Sequence, residues 1–193
     1  MKNKVIILLG KSASGKSTIE KKLENIKVGR RAISTTTRKP RTNEENGVDY
    51  YFVTEEEFNK SLENGEFVEN SEYPMVVGNA KYGINKKHID LHSNNVIAVL
   101  NPDGMRQIAG RLGKENIVSI YIKRNDRDRV ISALSRDESD LLETLEEVLR
   151  RVKADKIDFD GIENEVDYVV ENDNMFTAIC EVIGIINKET KQV

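Results

Sequence analysis

The sequence predicts an α/β protein of three layers: a parallel sheet core covered by helices on both faces, with a mixed α/β lobe inserted into it. Three observations carry that expectation. Four short apolar runs rich in β-branched residues recur along the chain. They are continuously hydrophobic rather than alternating, the pattern of strands buried on both faces. Stretches of helical period lie between most of them, which is the βαβ rhythm of a parallel sheet. Residues from about 33 to 92 break that rhythm with shorter pieces of both kinds.

The first run is Val5-Ile6-Ile7-Leu8-Leu9. A glycine-bearing loop follows it, then residues 17–25 with Ile19, Leu23 and Ile26 at helical spacing. Strands are also expected at 96–100, 117–122 and 166–170, and helices at 102–112, 126–134, 137–152 and 175–186. The last helix carries Phe176, Ile179, Ile183 and Ile186 on one face. Within the inserted lobe, 50–53 and 67–71 read as strands, 54–64 as a Glu-rich helix and 85–92 as a second helix. The polar tail 188–193 has no periodicity and is expected to be disordered.

Composition bounds the function. A chain of 193 residues forms one substantial domain with small inserted lobes. Its longest apolar run, Val5–Leu9, is too short to span a bilayer or to serve as a secretory signal. A single cysteine, Cys180, excludes an intramolecular disulfide and a cysteine-rich zinc site, and suits a reducing cytoplasm. It lies among apolar helix positions and reads as a small core residue. A net charge of −3 argues against a general nucleic-acid binder. His88 and His92 lie four apart with no third ligand nearby, and read as surface residues.

Gly10-Lys11-Ser12-Ala13-Ser14-Gly15-Lys16-Ser17 fits G-x-x-x-x-G-K-[ST] at every fixed position, between a buried strand and an amphipathic helix. A polyphosphate must be wrapped in backbone N–H groups, so the loop needs glycine where side chains would collide. The following helix turns its positive end to the same phosphates. Lys16 can reach the β- and γ-phosphates, and the Ser17 hydroxyl can sit on Mg²⁺. The loop, continued to Thr18, therefore predicts a nucleoside triphosphate site; it does not name an acceptor.

Ser34-Thr35-Thr36-Thr37-Arg38-Lys39-Pro40-Arg41 packs hydroxyls and cations into one polar segment. Its arginines, three residues apart, can fork onto one phosphate. Taken alone, the segment reads equally as a solvated basic loop. It is followed, in order, by Gly47-Val48-Asp49-Tyr50-Tyr51-Phe52-Val53, Asn64-Gly65-Glu66-Phe67-Val68-Glu69, Gly78-Asn79 and Tyr82-Gly83. Behind a phosphate loop, this series resembles the guanylate kinase family. The resemblance is strong from Val5 to about Gly83, weaker through Gly104 and the segment after it, and returns at 169–173.

The resemblance implies a P-loop kinase that moves the γ-phosphoryl of ATP, with Mg²⁺, to a nucleoside monophosphate, GMP or dGMP first. It divides the chain into a core (1–32, 94–123, 156–193), an acceptor lobe (33–93) and a helical lid (124–155). Ser34, Arg38, Arg41, Tyr50 and Tyr82 would hold the acceptor phosphate, and Glu69 would accept from guanine N1–H or N2–H. Asn172 would lie near the donor adenine. Arg136, with Arg150 or Arg151, would clasp the transferring phosphoryl group; each of these arginines reads alternatively as a surface residue of a charged helix. Ser135-Arg136-Asp137-Glu138 has the form of a capping box opening the lid's second helix. A monomer or a homodimer is expected, with no membrane or nucleic-acid partner.

This chain departs from the family's pattern in two places. Ile84 stands where the family has a hydroxyl after Tyr-Gly, with Asn85 the next polar side chain. Aligned on Gly104, Val99 and Asn101 stand where the family has two aspartates, one for the base and one near the metal. Each lost buried hydrogen bond weakens base discrimination by about 1–3 kcal/mol. Another nucleotide or a phosphorylated sugar as acceptor, or a module that grips a phosphorylated protein, are the rival readings. The intact Lys16 and Ser17 favour an enzyme over the module.

Overall fold

The computed structural model describes residues 2–41, 43–75, 78–135 and 141–190. The chain opens with β1 (Val5–Leu9), α1 (Lys16–Asn25) and the short strands β2 (Arg30–Arg31) and β3 (Thr35–Thr36). An inserted lobe continues through β4 (Tyr51–Phe52), α2 (Glu55–Glu63), β5 (Phe67–Pro74) and β6 (Asn79–Asn85). The core resumes with β7 (Val96–Val99), α3 (Pro102–Leu112) and β8 (Ile117–Lys123). It ends with α4 (Asp126–Leu134), α5 (Leu141–Asp158), β9 (Tyr168–Glu171) and α6 (Met175–Thr190).

The core sheet has the order β2-β7-β1-β8-β9, and every pairing in it is parallel. β1 lies at its centre with all five residues fully buried. Its side chains alternate between two cores, so a continuous apolar run is what the position requires. Ile6 and Leu8 pack with Ile19 and Leu23 of α1 and Val182 and Ile186 of α6. Val5, Ile7 and Leu9 pack with Met105 and Ile108 of α3 and with Phe159 beyond α5. Each such side chain contributes about 1.5–3 kcal/mol by leaving water. The loop after β1 therefore emerges at the carboxyl edge of the sheet, where open α/β sheets place ligands.

The lobe is a second, mixed sheet of order β4-β3-β6-β5. α2 begins at a capping box in which the Thr54 hydroxyl accepts from the Glu57 N–H and the Glu57 carboxylate accepts from the Thr54 N–H. Phe58 of that helix stacks on Phe67 at 4.6 Å and fastens it to the sheet.

Four local expectations change. Residues 85–92 contain only a 3-10 turn at Lys86–His88, which follows directly on β6 and is capped by the side chain of that strand's last residue, Asn85. α5 runs on to Asp158, past the helix end expected at 152. α6 continues to Thr190, whose buried hydroxyl donates to the Ile186 carbonyl, so the start of the polar tail is helical. That helix buries Ala178, Val182, Ile185 and Ile186, a face rotated from the expected one, which leaves Phe176 77% exposed and Cys180 on the surface.

Candidate active site

The loop between β1 and α1 is shaped by crowding. A Cβ on Gly10 would come 2.5 Å from Ser14 Oγ and 2.6 Å from the Ile122 carbonyl. Gly15 has φ 99, and a Cβ there would lie 2.4 Å from Asn172 Nδ2. Ala13 holds φ 60 without being glycine, a left-handed conformation that costs about 1–2 kcal/mol. Lys16 donates to the carbonyls of Gly10 (2.6 Å) and Lys11 (3.0 Å). Because α1 begins at Lys16, its first N–H groups have no acceptors within the helix. Ser17 and Thr18 are exposed there. Asn172, expected beside a donor adenine, is buried behind the loop and donates to the Ser14 carbonyl at 2.7 Å.

Across the cleft stands the cluster from the polar segment. Arg38 forks onto Glu44 at 2.8 and 2.9 Å, donates through Nε to the Tyr82 hydroxyl at 3.2 Å, and lies over the Tyr50 ring at 5.3 Å. Tyr50 meets the edge of Tyr82, ring centroids 6.0 Å apart. The Arg41 N–H donates to the same Glu44 at 2.9 Å. Burial first, then the charges of Arg151 and Arg38, push the Arg41 guanidinium below its ordinary value. Cations from the lobe and from α5 thus converge on one region, the electrostatic form of an anion site.

Glu69 is aimed by a bulge. The β5–β6 register shifts between Phe67 and Glu69, so that Glu69 faces Ile84. Its Oε1 accepts from the Ile84 N–H at 2.8 Å and the residue is 2% exposed. Burial pushes its carboxyl up to about 7, against the Ile84 N–H and with the help of Asp103. The Ile84 side chain is buried in the core, and Asn85 does not replace a hydroxyl there, because its side chain caps the 3-10 turn and bonds Glu66. Val99 lines the cleft, and Asn101 Oδ1 accepts from the Gly104 N–H at 2.7 Å as the cap of α3. Ser71 and Tyr73, two and four residues beyond Glu69 on β5, line the same cleft.

Some supporting residues gave no motif to read. Gln107 of α3 brackets the backbone of Asn70, accepting from its N–H at 3.1 Å and donating to its carbonyl at 2.8 Å. Arg111 donates to the Phe67 and Val68 carbonyls. These two side chains fix the Glu69 strand to the core. Arg129, 2% exposed, and Asp155, 7% exposed, pair at 2.9 Å behind the loop. Asp155 continues the spacing of Val148 and Val152, so a carboxylate placed in an apolar stripe was the available signal.

One cleft of about 450 Å³ gathers Gly10, Ser12, Ala13, Lys16, Ser17, Ser34, Arg38, Arg41, Tyr50, Glu69, Tyr82, Arg150 and Arg151. Of the loop residues expected at the donor site, Lys11, Ser14, Gly15 and Thr18 do not line it, and neither does Asn172. Arg150 and Arg151 both pair with Glu147, at 2.8 and 2.6 Å. Arg136 and the capping box proposed at 135–138 lie outside the described residues apart from Ser135, whose hydroxyl donates back to Ile131. Among the described residues no group of His, Cys, Asp and Glu forms a metal cluster. His88 instead stacks on Tyr51 at 5.2 Å.

A phosphate loop at the carboxyl edge of a parallel sheet, facing an arginine–tyrosine cluster across a single cleft, defines a P-loop nucleotide kinase. The profile of the family described as guanylate kinase matches residues 2–189. The chain is 36% identical over 183 residues to the guanylate kinase of Malacoplasma penetrans, covering 92% of this chain and 89% of that one. It is 32% identical over 202 residues to that of Thermotoga maritima, covering 100% and 90%. The crystal structure of guanylate kinase from Anaplasma phagocytophilum superposes with a TM-score of 0.72 at 27% identity, over 100% of this chain and 90% of that one. The chain belongs to the guanylate kinase family. No helix among the described residues is long and apolar enough to cross a membrane.

Proposed function

We propose that the protein transfers the γ-phosphoryl group of ATP to GMP, yielding ADP and GDP. The observation that carries this reading is the placing of Lys16 and of the Arg38–Arg41 pair on one cleft, with Arg151 close enough to depress Arg41. The phosphate loop holds the donor; Ser34, Arg38, Arg41, Tyr50 and Tyr82 hold the acceptor phosphate. An oxygen of the acceptor phosphate attacks the γ-phosphorus and ADP departs, so no protein base is needed. Arg150 and Arg151 offset the charge spread over the transferring group. Glu69 accepts from the guanine N1–H and N2–H groups, and the Ser71 and Tyr73 hydroxyls add polar surface where Ile84 and Val99 offer none.

Mg²⁺ with ATP suits the residues present. Magnesium in such sites takes few protein ligands and several phosphate oxygens and waters. Ser17, exposed at the head of α1, is the group that would hold it. When bound, the ion neutralises charge on the β- and γ-phosphates. ATP and GMP are cytoplasmic metabolites, and we place the protein there, as a monomer or homodimer.

Val99 and Ile84 favour one second reading, a kinase of this fold with another acceptor. An ADP-release assay with ATP-Mg²⁺ against GMP, dGMP, AMP, CMP, UMP, dTMP and phosphorylated sugars decides between them. Turnover with GMP and dGMP alone is the expected result; turnover confined to another acceptor overturns the GMP assignment. Arg41→Ala is expected to raise the GMP KM about tenfold or more, the worth of a charge-assisted phosphate contact. An unchanged KM would return the segment to the role of a solvated loop.

A further inference from the structure

The phosphate loop is gripped from outside by the α4–α5 pair. The Ser12 N–H donates to Asp155 Oδ2 at 3.0 Å and the Ser12 hydroxyl to Oδ1 at 3.4 Å. Arg129 Nη1 donates both to Asp155 Oδ2 at 2.9 Å and to the Ser12 carbonyl at 2.7 Å. Its other face bonds Asp126 at 2.8 Å. Arg124, just before α4, donates to the Ala13 carbonyl at 3.4 Å. Peptide groups on both sides of Ser12 and the carbonyl of Ala13 are thus held by three side chains from one part of the chain.

Two features make this grip more than a stabilising contact. The residue it surrounds, Ala13, has φ 60, and a non-glycine in that conformation persists only where its neighbours enforce it. Asp155 also lies one helical turn beyond Arg151 on α5, so whatever fixes Asp155 to the loop fixes Arg151 relative to the donor phosphates. The carboxylate is neutralised by the buried Arg129, so it holds the loop without leaving an unpaired charge beside the triphosphate.

We propose that Asp155 is a positioning residue for phosphoryl transfer: it locks α5 to the phosphate loop and thereby sets the reach of Arg151 to the transferring group. The inference rests on the reading of Arg151 given above. A displacement of about 1 Å at a reacting centre costs about 10²-fold in rate, and this effect falls on kcat rather than on acceptor binding.

The test uses the full-length chain carrying Asp155→Asn, Arg151→Ala or both, assayed for kcat, for both KM values and for Tm. Asp155→Asn is expected to lower kcat about 10- to 100-fold with the GMP KM within about twofold. In the Arg151→Ala background the same change takes nothing further from kcat. A contact that only stabilises would lower Tm and leave the kcat of folded protein alone; that result, or losses that multiply in the double variant, overturns the proposal. Arg151→Ala at full kcat removes the reading of Arg151 and this inference with it, whereas a slow Arg151→Ala beside a fast Asp155→Asn removes this inference alone. Because Asp155→Asn leaves the buried Arg129 with only the half-exposed Asp126 as a carboxylate partner, Asp155→Asn with Arg129→Gln removes both charges of the buried pair. A folded protein of that kind with low kcat supports the proposal, and one with full kcat overturns it.

Discussion

Lys16→Ala is expected to reduce kcat/KM by about a thousandfold or more, with the protein still folded. A cation aimed at developing charge in a site closed to water is worth about 2.7–4 kcal/mol in the transition state, and the missing ammonium also weakens ATP binding. The structural loss is smaller. Lys16 gives up its bonds to the Gly10 and Lys11 carbonyls, each worth about 1 kcal/mol, which translates into a Tm shift of a few degrees for a chain of this size. Steady-state kinetics beside a thermal melt separates the two effects. Lys16→Arg is expected to restore little, because a planar guanidinium does not fit a space shaped around a point charge. Near-normal activity in Lys16→Ala would remove the donor-site assignment, and collapse of the fold would make the lysine a structural pin.

The parts of this protein legible in the sequence are those where one local rule decides. β1 must be apolar throughout because both of its faces are covered, and its bounds follow from Val5-Ile6-Ile7-Leu8-Leu9 alone. α3 and α4 begin at asparagine caps, Asn101 and Asn125, and their spans match the helical period of the sequence. The loop and the arginine–tyrosine cluster were visible because their residue types have few other uses together. β6 was not, since Asn79 to Asn85 is polar and acquires its strand character only by pairing with β5. The exposed Cys180 and Phe176 followed from the same limit: the burying face of α6 depends on how the helix docks on the sheet. Asp155, Arg129, Gln107 and Arg111 act through partners 26 to 143 residues away, a distance no local pattern spans.

The acceptor side makes a prediction about pH. Glu69 must be ionised to accept two N–H groups of guanine, and burial raises its carboxyl to about 7, helped by Asp103 and opposed by the Ile84 N–H and Arg111. A carboxyl with a raised value is protonated below it and ionised above it. In the free enzyme, kcat/KM for GMP is therefore expected to climb about tenfold per pH unit below 7 and to level off above it. Guanine N–H donors favour the ionised form, so in the GMP complex the same group titrates lower, and kcat at saturating GMP should hold nearly constant through that range. Glu69→Gln is expected to abolish the acid limb and to lower kcat/KM for GMP about 10- to 100-fold, the worth of hydrogen bonds to a charged acceptor. Glu20 shares the cleft and is also raised to about 7, by burial against the pull of Arg31, and Asp158 there is raised by burial and by the charge of Asp155, so these two are competing sources of a titration in the cleft. A limb that survives Glu69→Gln and disappears in Glu20→Gln would assign the proton to the pair beneath the loop helix, and the guanine would then be read by some other group.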